Sequence, residues 1–290
     1  MQIIVNIILT MMIYLLIAYS FSIIYATTKF FHIAHAITIT MAAYFTYYFS
    51  KNLFVPLYLA MILSAIFSTF FGVLSHIFIY KPLREKNATS MVLLMVSLGL
   101  YIIFQNIISL ICGDSTKSFR LEKIIAGHEL WDARITNIQI ITVLLVGIII
   151  SGGVYFHKYS KIGRNIRAVS SNSELSDILG INSNAIILWA FGIGSFLAAI
   201  AGILVACDTD MVPSMGFNLL LYGVVAMIIG GIGSVWGLVG GSFLLAAAQH
   251  ISSYYIGSQW MDAIAYIILI IFLLCKPLGI SGKRLKKIEI

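Results

Sequence analysis

The sequence predicts an all-α protein, a polytopic transmembrane helix bundle with about nine spans, in a range of about eight to ten. Of its 290 residues, 60% are hydrophobic and only 10% are charged, whereas a soluble domain carries about 25% charged residues. Apolar windows of about 20 residues, long enough to cross the hydrocarbon layer as helices, follow one another with short polar gaps. The long Ile, Leu and Phe runs lack the period-two alternation of a membrane barrel, so helices are favoured.

The spans follow from these windows in chain order. The second and the seventh are short enough to be broken or re-entrant rather than simple crossings, and such helices are predicted near the translocation path. No basic residue precedes the first predicted span, and no small-residue cleavage site follows it. It is therefore predicted as a membrane span and not as a removable signal peptide. The predicted spans are 3–26, 33–50, 53–79, 91–112, 138–156, 185–207, 218–231, 237–256 and 260–275.

The basic residues predict which side of the membrane each loop faces. If the loop at 158–184 is cytoplasmic and the sides alternate from there, most of the 18 Lys and Arg residues lie inside, as the positive-inside bias requires. The N-terminus is then external and the C-terminus cytoplasmic. The net charge of +7 is explained by this sidedness, and the basic tail at 276–290 is an orientation signal, so no nucleic acid partner is expected. The inside residues are Lys29, Lys81, Arg84, Lys86, Lys158, Lys161, Arg164, Arg167, Lys276, Lys283, Arg284, Lys286 and Lys287.

Neither a disulfide nor a metal site is predicted. Cys112, Cys207 and Cys275 each lie alone in apolar surroundings, without the clustering that a disulfide framework or a metal site shows. The histidines at 76, 157 and 250 give no ligand spacing. The external connection at 113–137, which contains Trp131, is interpreted as a solvated loop with an interfacial Trp, with a lid or partner surface as the alternative.

Small residues recur every four positions in the second half of the chain. One stripe runs from Ala190 through Gly194 to Ala206, and a second places Gly233, Gly237 and Gly241 in GGIGSVWGLVGG. Such stripes let helix backbones approach closely, and packing is favoured over contact with a substrate. The glycines at 230 and 231 also permit a break in the helix.

The polar segment Lys158–Asn184 contains one short helix of about two turns. Ser171 is predicted as its N-cap, with Glu174 three residues later completing a capping box. Gly180 occupies the position where a left-handed residue ends a helix. The apolar residues Leu175, Ile178 and Leu179 then share one face.

A helix this short is unstable alone, so its apolar face must pack against another surface. That surface is either the chain's own inner side or an external partner. The basic arm formed by Lys161, Arg164 and Arg167 suits lipid headgroups or an acidic protein surface. No acid, base or nucleophile set accompanies the helix, and the loop is the only internal element large enough to transmit a mechanical input. A partner is therefore favoured.

The phrase GRNIRAVSSNSELSDILGIN, from Gly163 to Asn182, resembles the cytoplasmic loop of the branched-chain amino acid permease family of ABC importers. The resemblance continues through Pro213, Met215 and Gly216 and through GGIGSVWGLVGG, and it ends at Lys276-Pro-Leu-Gly279. FFHIAHAITITMAAY, at 30–44, is similar to the family's Ala-His-Gly passage. Ala36 stands where the family usually has glycine, and Ile37 replaces an acidic residue; both positions belong to the region expected to border the translocation path.

The resemblance implies one transmembrane permease domain over residues 1–290, in a bacterial inner membrane. Its partners would be a second permease subunit, identical or different, cytoplasmic ABC ATPase subunits, a periplasmic substrate-binding protein and membrane lipid. ATP and Mg²⁺ would be bound by the ATPase, because this chain has no GxxxxGK[ST] phosphate loop and is no enzyme itself. The residues assigned to ATPase coupling are Gly163, Arg164, Arg167, Ser171, Glu174, Leu175, Asp177, Ile178, Leu179, Gly180 and Ile181.

Two further groups of site residues are expected. His32 and His35 lie near the inner end of the second span and either contact substrate or serve packing, since intramembrane histidines are functional suspects. Asp208 and Asp210 lie at the outer end of a span, where they meet a binding protein's basic residues, a substrate ammonium or only water. The residues assigned to the translocation path are His32, His35, Pro213, Gly216, Gly230, Gly231, Gly233 and Ser234.

Three alternatives remain open at this stage. The same importer type could carry urea, a short amide or another small polar solute instead of hydrophobic amino acids. An ion-coupled secondary transporter would need charged residues near the midplanes of its spans, and the sequence has almost none there. A membrane enzyme is disfavoured, because no Ser/His/Asp, HExxH or paired-Asp arrangement occurs within the spans.

Overall fold

The computed structural model describes residues 1–119, 127–130, 133–276 and 278–281. Most of them lie in helices, as apolar membrane segments require, because only a helix satisfies every backbone polar group within one segment. A π-helix (His76–Tyr80) continues α3, and a 3₁₀ turn (Ser258–Trp260) precedes the last helix. The helices are α1 (Gln2–Thr28), α2 (His35–Lys51), α3 (Leu57–Ser75), α4 (Lys81–Glu85), α5 (Ser90–Cys112), α6 (Asn137–Tyr159), α7 (Lys161–Ser171), α8 (Ser173–Ile178), α9 (Ser183–Asp208), α10 (Met215–Gly230), α11 (Val235–Tyr255) and α12 (Met261–Cys275).

The predicted all-α polytopic bundle is confirmed. Within the described ranges, 7 helical segments are long and apolar enough to cross a membrane. The second and seventh predicted spans correspond to α2 with 17 residues and α10 with 16, both of which fall outside those 7 segments. The chain is therefore a multi-pass membrane protein in which these two predicted spans are short helices.

The external connection contains a small antiparallel hairpin, β1 (His128–Leu130) paired with β2 (Ala133–Ile135). This is the one sheet among the described residues, and Trp131 lies outside those residues. The hairpin is held to the start of α1, because the Arg134 amide donates to Gln2 Oε1 at 2.9 Å. The described part of the connection therefore contains a strand pair that the sequence does not predict.

The connections gather at two ends of the bundle. At the end that carries the N-terminus, the hairpin meets Gln2, and the Lys117 amide donates to the Met211 carbonyl at 3.0 Å. At the opposite end, here named the C-terminal end, the Ile280 amide donates to the Ile229 carbonyl at 2.8 Å. This grouping matches the alternation of sides that the charge pattern predicts. The basic residues Lys283, Arg284, Lys286 and Lys287 of the tail lie outside the described residues.

The bundle consists of two halves with the same order of elements. The first half comprises α1, α2, α3 and α5, the second comprises α9, α10, α11 and α12, and α6–α8 connect them. The most extensive packing of α1 is with α9, α10 and α11, and that of α9 is with α1, α2 and α3. Because α1 begins and α9 ends at the N-terminal end, the halves run in opposite directions. This is the arrangement of an inverted-topology repeat.

Each half breaks the chain between its long first helix and its short second helix. In the first half, Lys29 takes a left-handed conformation (φ 58) and ends α1. The following residues turn back into the bundle, where Phe30, His32 and Ala34 are almost fully buried. In the second half, α10 begins against α2, where the Gly216 amide donates to Thr40 Oγ1 at 3.2 Å. The short helices α2 and α10 therefore contact each other through their first turns inside the protein.

The small-residue stripes pack helices together. A methyl group at Gly202 would overlap the Ile39 carbonyl of α2, and one at Gly241 would overlap the Ala226 carbonyl of α10. Gly237 likewise packs against the backbone of Gly230. The packing interpretation is confirmed for these positions. Gly233 is the exception, because it lies in the open connection before α11 with φ 86 and no neighbour within 4 Å of an added methyl group.

Candidate coupling and translocation sites

Helix α7 lies along the C-terminal end of the bundle and presents its basic residues outward. Ser160 caps it, accepting a hydrogen bond from the Gly163 amide at 2.8 Å. Gly163, Ile166 and Val169 are buried at spacings of three, so one face of the helix packs against the bundle. Arg164 and Arg167 are exposed on the opposite face. The predicted basic arm is therefore available to an external surface.

The N-cap of helix α8 lies one residue later than the sequence predicts. Its N-cap is Asn172, whose Oδ1 accepts from the Leu175 amide at 3.0 Å, and Ser171 is the last residue of α7. The predicted N-cap at Ser171, with its capping box to Glu174, is therefore wrong. The amphipathic pattern of α7 carries that helix through Ser171, so the extended residue that interrupts the chain is Asn172 (φ −155). The predicted left-handed residue at Gly180 (φ 83) is confirmed.

The apolar face of α8 points away from the protein. Leu175, Ile178 and Leu179 are exposed by 51%, 81% and 71% of their surface. All three large apolar side chains are more than half exposed, in a connection otherwise rich in polar residues. Adjacent exposed apolar side chains of this kind mark an interaction surface. The sequence leaves open whether this face packs against the chain's own inner side or against an external partner. In the structure, the chain's own inner side does not cover it.

The polar side of α8 is fixed to the start of α9. Asp177 Oδ1 accepts from the Ser183 amide at 2.8 Å, and Ser183 Oγ donates to the Ser173 carbonyl at 3.0 Å. Asn182 caps α9 by accepting from the Ala185 amide at 3.0 Å. These bonds join α8 to the helix that packs against α1, α2 and α3. These bonds fix the position of α8 relative to α9.

His32 and His35 are buried side by side, with ring centroids 5.7 Å apart. Ser97 Oγ lies 3.2 Å from His32 Nδ1 and accepts from the Ala34 amide at 2.8 Å. Ser20 donates to the Ile17 carbonyl and lies 3.1 Å from His35 Nε2, so that nitrogen is the donor. Among the described residues, His32 Nε2 and His35 Nδ1 have no hydrogen-bond partner.

The π-helix adds a third buried histidine to this region. His76 and Tyr80 lie on it, and Tyr80 is wholly buried with its ring centroid 5.0 Å from that of His32. Phe191 of α9 stacks on His76, with their ring centroids 4.6 Å apart. π-Helical turns occur frequently at functional sites. The sequence shows no signal for this cluster, because His76 is distant from His32 along the chain.

The residues assigned to the translocation path do not form one group. His35 and Gly216 lie near the contact between α2 and α10, where Gly216 fits against Ala36. Gly230 and Gly231 lie at the other end of α10 and pack against α11 and the turn at 278–281. Ser234 caps α11 by accepting from the Gly237 amide at 3.2 Å. Pro213 is buried in the turn before α10.

Asp208 and Asp210 have different surroundings. Asp208 is half-buried and lines a cavity of about 190 Å³ between α1, α6, α9 and α10. Its Oδ2 accepts from Gln139 Nε2 at 3.4 Å. Asp210 is exposed in the turn that follows α9. The sequence treats the two aspartates as a pair, and the structure separates them.

Several polar groups at the N-terminal end escaped the sequence-based selection. Gln139 completes a capping box at the start of α6, where its amide and Oε1 bond to Thr136, and the Thr136-x-x-Gln139 pattern is a signal that could have located it. Tyr14 donates to Gln249 Oε1 at 2.8 Å, and Tyr222 donates to Asp262. Asp262 lies in the first turn of α12. Unlike Gln139, residues such as Tyr14, Gln249 and Tyr222 belong to no recognisable motif in the sequence.

Comparison with known proteins agrees with these features. The family model described as "branched-chain amino acid transport system / permease component" matches residues 3–273. The high-affinity branched-chain amino acid transport system permease protein LivH of Salmonella typhimurium is 31% identical over 209 residues, 70% of this chain and 67% of its own length. BraD of Pseudomonas aeruginosa, described in the same words, is 29% identical over 285 residues, 93% and 92% of the two chains.

More distant similarity extends to sugar transport. The ribose import permease protein RbsC of Haemophilus influenzae is 24% identical over 237 residues, 77% of this chain and 70% of its own. No solved structure matches the chain. The family model covers nearly the whole sequence, and the resemblance that the loop and glycine motifs carry is confirmed. The chain therefore belongs to the family of permease components of branched-chain amino acid transport systems.

Proposed function

We propose that this chain is the membrane-spanning subunit of an ATP-driven ABC importer that moves branched-chain or similar hydrophobic amino acids into the cytoplasm. The observation that carries the proposal is the outward-facing apolar face of α8, which is joined by hydrogen bonds to the central helix α9. The names of the relatives support the substrate class. They do not favour urea, short amides or an ion-coupled transporter.

A cytoplasmic ATPase is the partner proposed for α8. The face formed by Leu175, Ile178 and Leu179 would fill an apolar groove of that subunit, and the exposed Arg164 and Arg167 would meet an acidic rim or lipid headgroups. ATP and Mg²⁺ would be bound there and not in this chain. The cytoplasmic side is then the C-terminal end of the bundle, and the N-terminus is external, in a bacterial inner membrane.

Alternating access would proceed by movement of one half of the bundle against the other. The opposite orientation of the halves and the contact between the short helices α2 and α10 support this mechanism, since inverted repeats with broken helices recur in transporters. His32, His35 and Gly216 would border the path, because the two histidines keep unpaired nitrogens in the interior. A second permease subunit and a binding protein at the N-terminal end would complete the importer.

The direct test is uptake of labelled leucine into proteoliposomes that contain the complete importer, with its binding protein outside and ATP enclosed. We expect uptake that requires ATP and both partners. Replacing ATP with a non-hydrolysable analogue should abolish it, and collapsing ion gradients with ionophores should leave it unchanged. Leucine uptake that persists without the ATPase but stops with ionophores would refute the proposal and establish an ion-coupled transporter.

A further inference from the structure

Arg84 is half-buried on the short helix α4, which follows the π-helix at the C-terminal end of the bundle. Its Nη1 is buried and, among the described residues, has no hydrogen-bond partner. Burying a nitrogen of a cation without a partner is unfavourable, because its hydration is lost and not replaced. Lys81 and Lys86, on either side of it, are exposed. Burial therefore sets Arg84 apart from the basic residues beside it, and it makes a nearby negative group important.

The negative group that attracts Arg84 is the carboxylate of Asp177 on α8. Leu83 and Ala88, which flank Arg84, pack against the same hydrophobic cluster as Ile181, which follows α8. Helix α4 and the end of α8 therefore lie against one patch of the bundle. The direct ion pairs among the described residues do not include one between Arg84 and Asp177, so the attraction acts over a longer distance and is of moderate strength.

The helix that carries Arg84 leads directly into the first half of the bundle. It continues from the π-helix without a break, and Tyr80 of the π-helix packs against His32 with ring centroids 5.0 Å apart. His32 lies in the break between α1 and α2. The hydrogen bond to the Ser183 amide, by contrast, joins α8 to α9 of the second half. Helix α8 therefore has a separate connection to each half.

We propose that Arg84 is a positioning residue, which holds α8 to the first half of the bundle through its attraction to Asp177. Resting on the proposed function, this link passes a movement of α8 to the π-helix, while the bond to Ser183 passes it to α9. Both connections begin at the same carboxylate. One side chain would thus join the proposed ATPase contact to both halves.

The link is tested first in the permease assembly in nanodiscs, without ATPase or nucleotide, by hydrogen exchange on the opposite helix. Asp177→Asn removes the charge but keeps a side-chain oxygen that can accept from the Ser183 amide. The reporter is the Ala88 amide, which donates to the Leu83 carbonyl at 3.0 Å where α4 ends. We expect its exchange to become about two- to fivefold faster, the loss typical of an ion pair with an exposed partner. Glu174→Gln, which removes an exposed acid of the same helix, should leave it unchanged.

The reciprocal substitution is read on α8, because a coupling free energy acts equally in both directions. Arg84→Met should speed exchange of the Ile181 amide, which donates to the Ser176 carbonyl at 2.9 Å, whereas Lys86→Met should not. When Arg84 is already Met, Asp177→Asn should have no further effect on α4. Unchanged exchange in either single variant would overturn the proposal. An effect of Asp177→Asn on α4 that persists in the Arg84→Met background would overturn it as well.

The second measurement separates a positioning role from a merely structural one. In the complete importer, Arg84→Met should lower the amount of leucine moved per ATP hydrolysed about two- to fivefold, with the affinity for the ATPase unchanged. Arg84→Lys, which keeps a positive charge, should retain most of the wild-type ratio, and Lys86→Met should retain all of it. A wild-type ratio in Arg84→Met would overturn the positioning role. If the wild-type importer moves no leucine, the proposed function fails, whereas the exchange measurements still decide whether the link exists.

Discussion

Replacing Ile178 with serine should weaken binding of the ATPase without disturbing the membrane domain. Burying a whole Ile or Leu side chain contributes about 1.5–3 kcal/mol, and 81% of Ile178 is exposed. Burial of that exposed part in a partner's groove is therefore worth about 1.2–2.4 kcal/mol. Its loss corresponds to a dissociation constant raised about 8- to 60-fold. Because the side chain makes little contact with its own protein, the substitution should leave the fold intact.

The assay is a titration of the labelled ATPase onto the permease assembly in nanodiscs. Asn184→Ser is the matched control, because Asn184 is exposed in the first turn of α9 and lies outside the apolar face. Both variants should be recovered from the membrane at the wild-type level. An affinity of Ile178→Ser within about twofold of the wild type and of Asn184→Ser would refute the docking role of α8, because the predicted loss is at least about 8-fold.

Three further substitutions test the remaining steps. Asp177→Ala removes the bond from α8 to the Ser183 amide, so ATPase binding should persist while ATP-driven uptake falls several-fold; equal loss in Glu174→Ala would contradict this. Asn172→Ala should cost about 0.5–2 kcal/mol of local helix stability, measured as faster hydrogen exchange of the Leu175 amide. Ser171→Ala should exchange at the wild-type rate, and faster exchange in that variant would show that Ser171 is the N-cap. Gly216→Ala places a methyl group against the Ala36 carbonyl, and the overpacking, about 1–3 kcal/mol, should lower the Tm in detergent. Gly147→Ala, which has open space around it, should leave the Tm unchanged. Equal Tm values for the two variants would contradict the close contact between α2 and α10.

Local signals in the sequence were sufficient to predict helix α8 except at its first residue. The spacing of Leu175, Ile178 and Leu179 and the glycine at 180 depend only on neighbours within two turns, so they could be interpreted without the fold. The cap could not, because Ser171, Asn172 and Ser173 are all favourable N-cap residues. The choice among them depends on where α7 ends, and packing of Ile166 and Val169 against the bundle decides that.

The sites within the membrane depend on contacts between distant segments and were less accessible from the sequence. The shortness of α2 and α10 was visible in the length of their apolar windows, but their starting points are set by bonds such as that from Gly216 to Thr40. Asp208 and Asp210 look alike in the sequence, and only the position of Gln139 on α6 distinguishes them. The repeat of the two halves emerges from the order and packing of the helices.

On the coupling role proposed for α8, the inverted repeat would explain how an input there moves the two halves relative to each other. Helix α9 belongs to the second half by its position in the chain, yet its most extensive packing is with α1, α2 and α3 of the first half. A helix that packed mainly within its own half would carry that half along as a rigid body. Because α9 crosses the boundary, a displacement delivered through Asp177 and Ser183 would act on the interface between the halves. The contact of α2 with α10 and the Asp208 cavity, lined by α1 and α6 as well as α9 and α10, lie along that interface, so both should change shape when α8 moves.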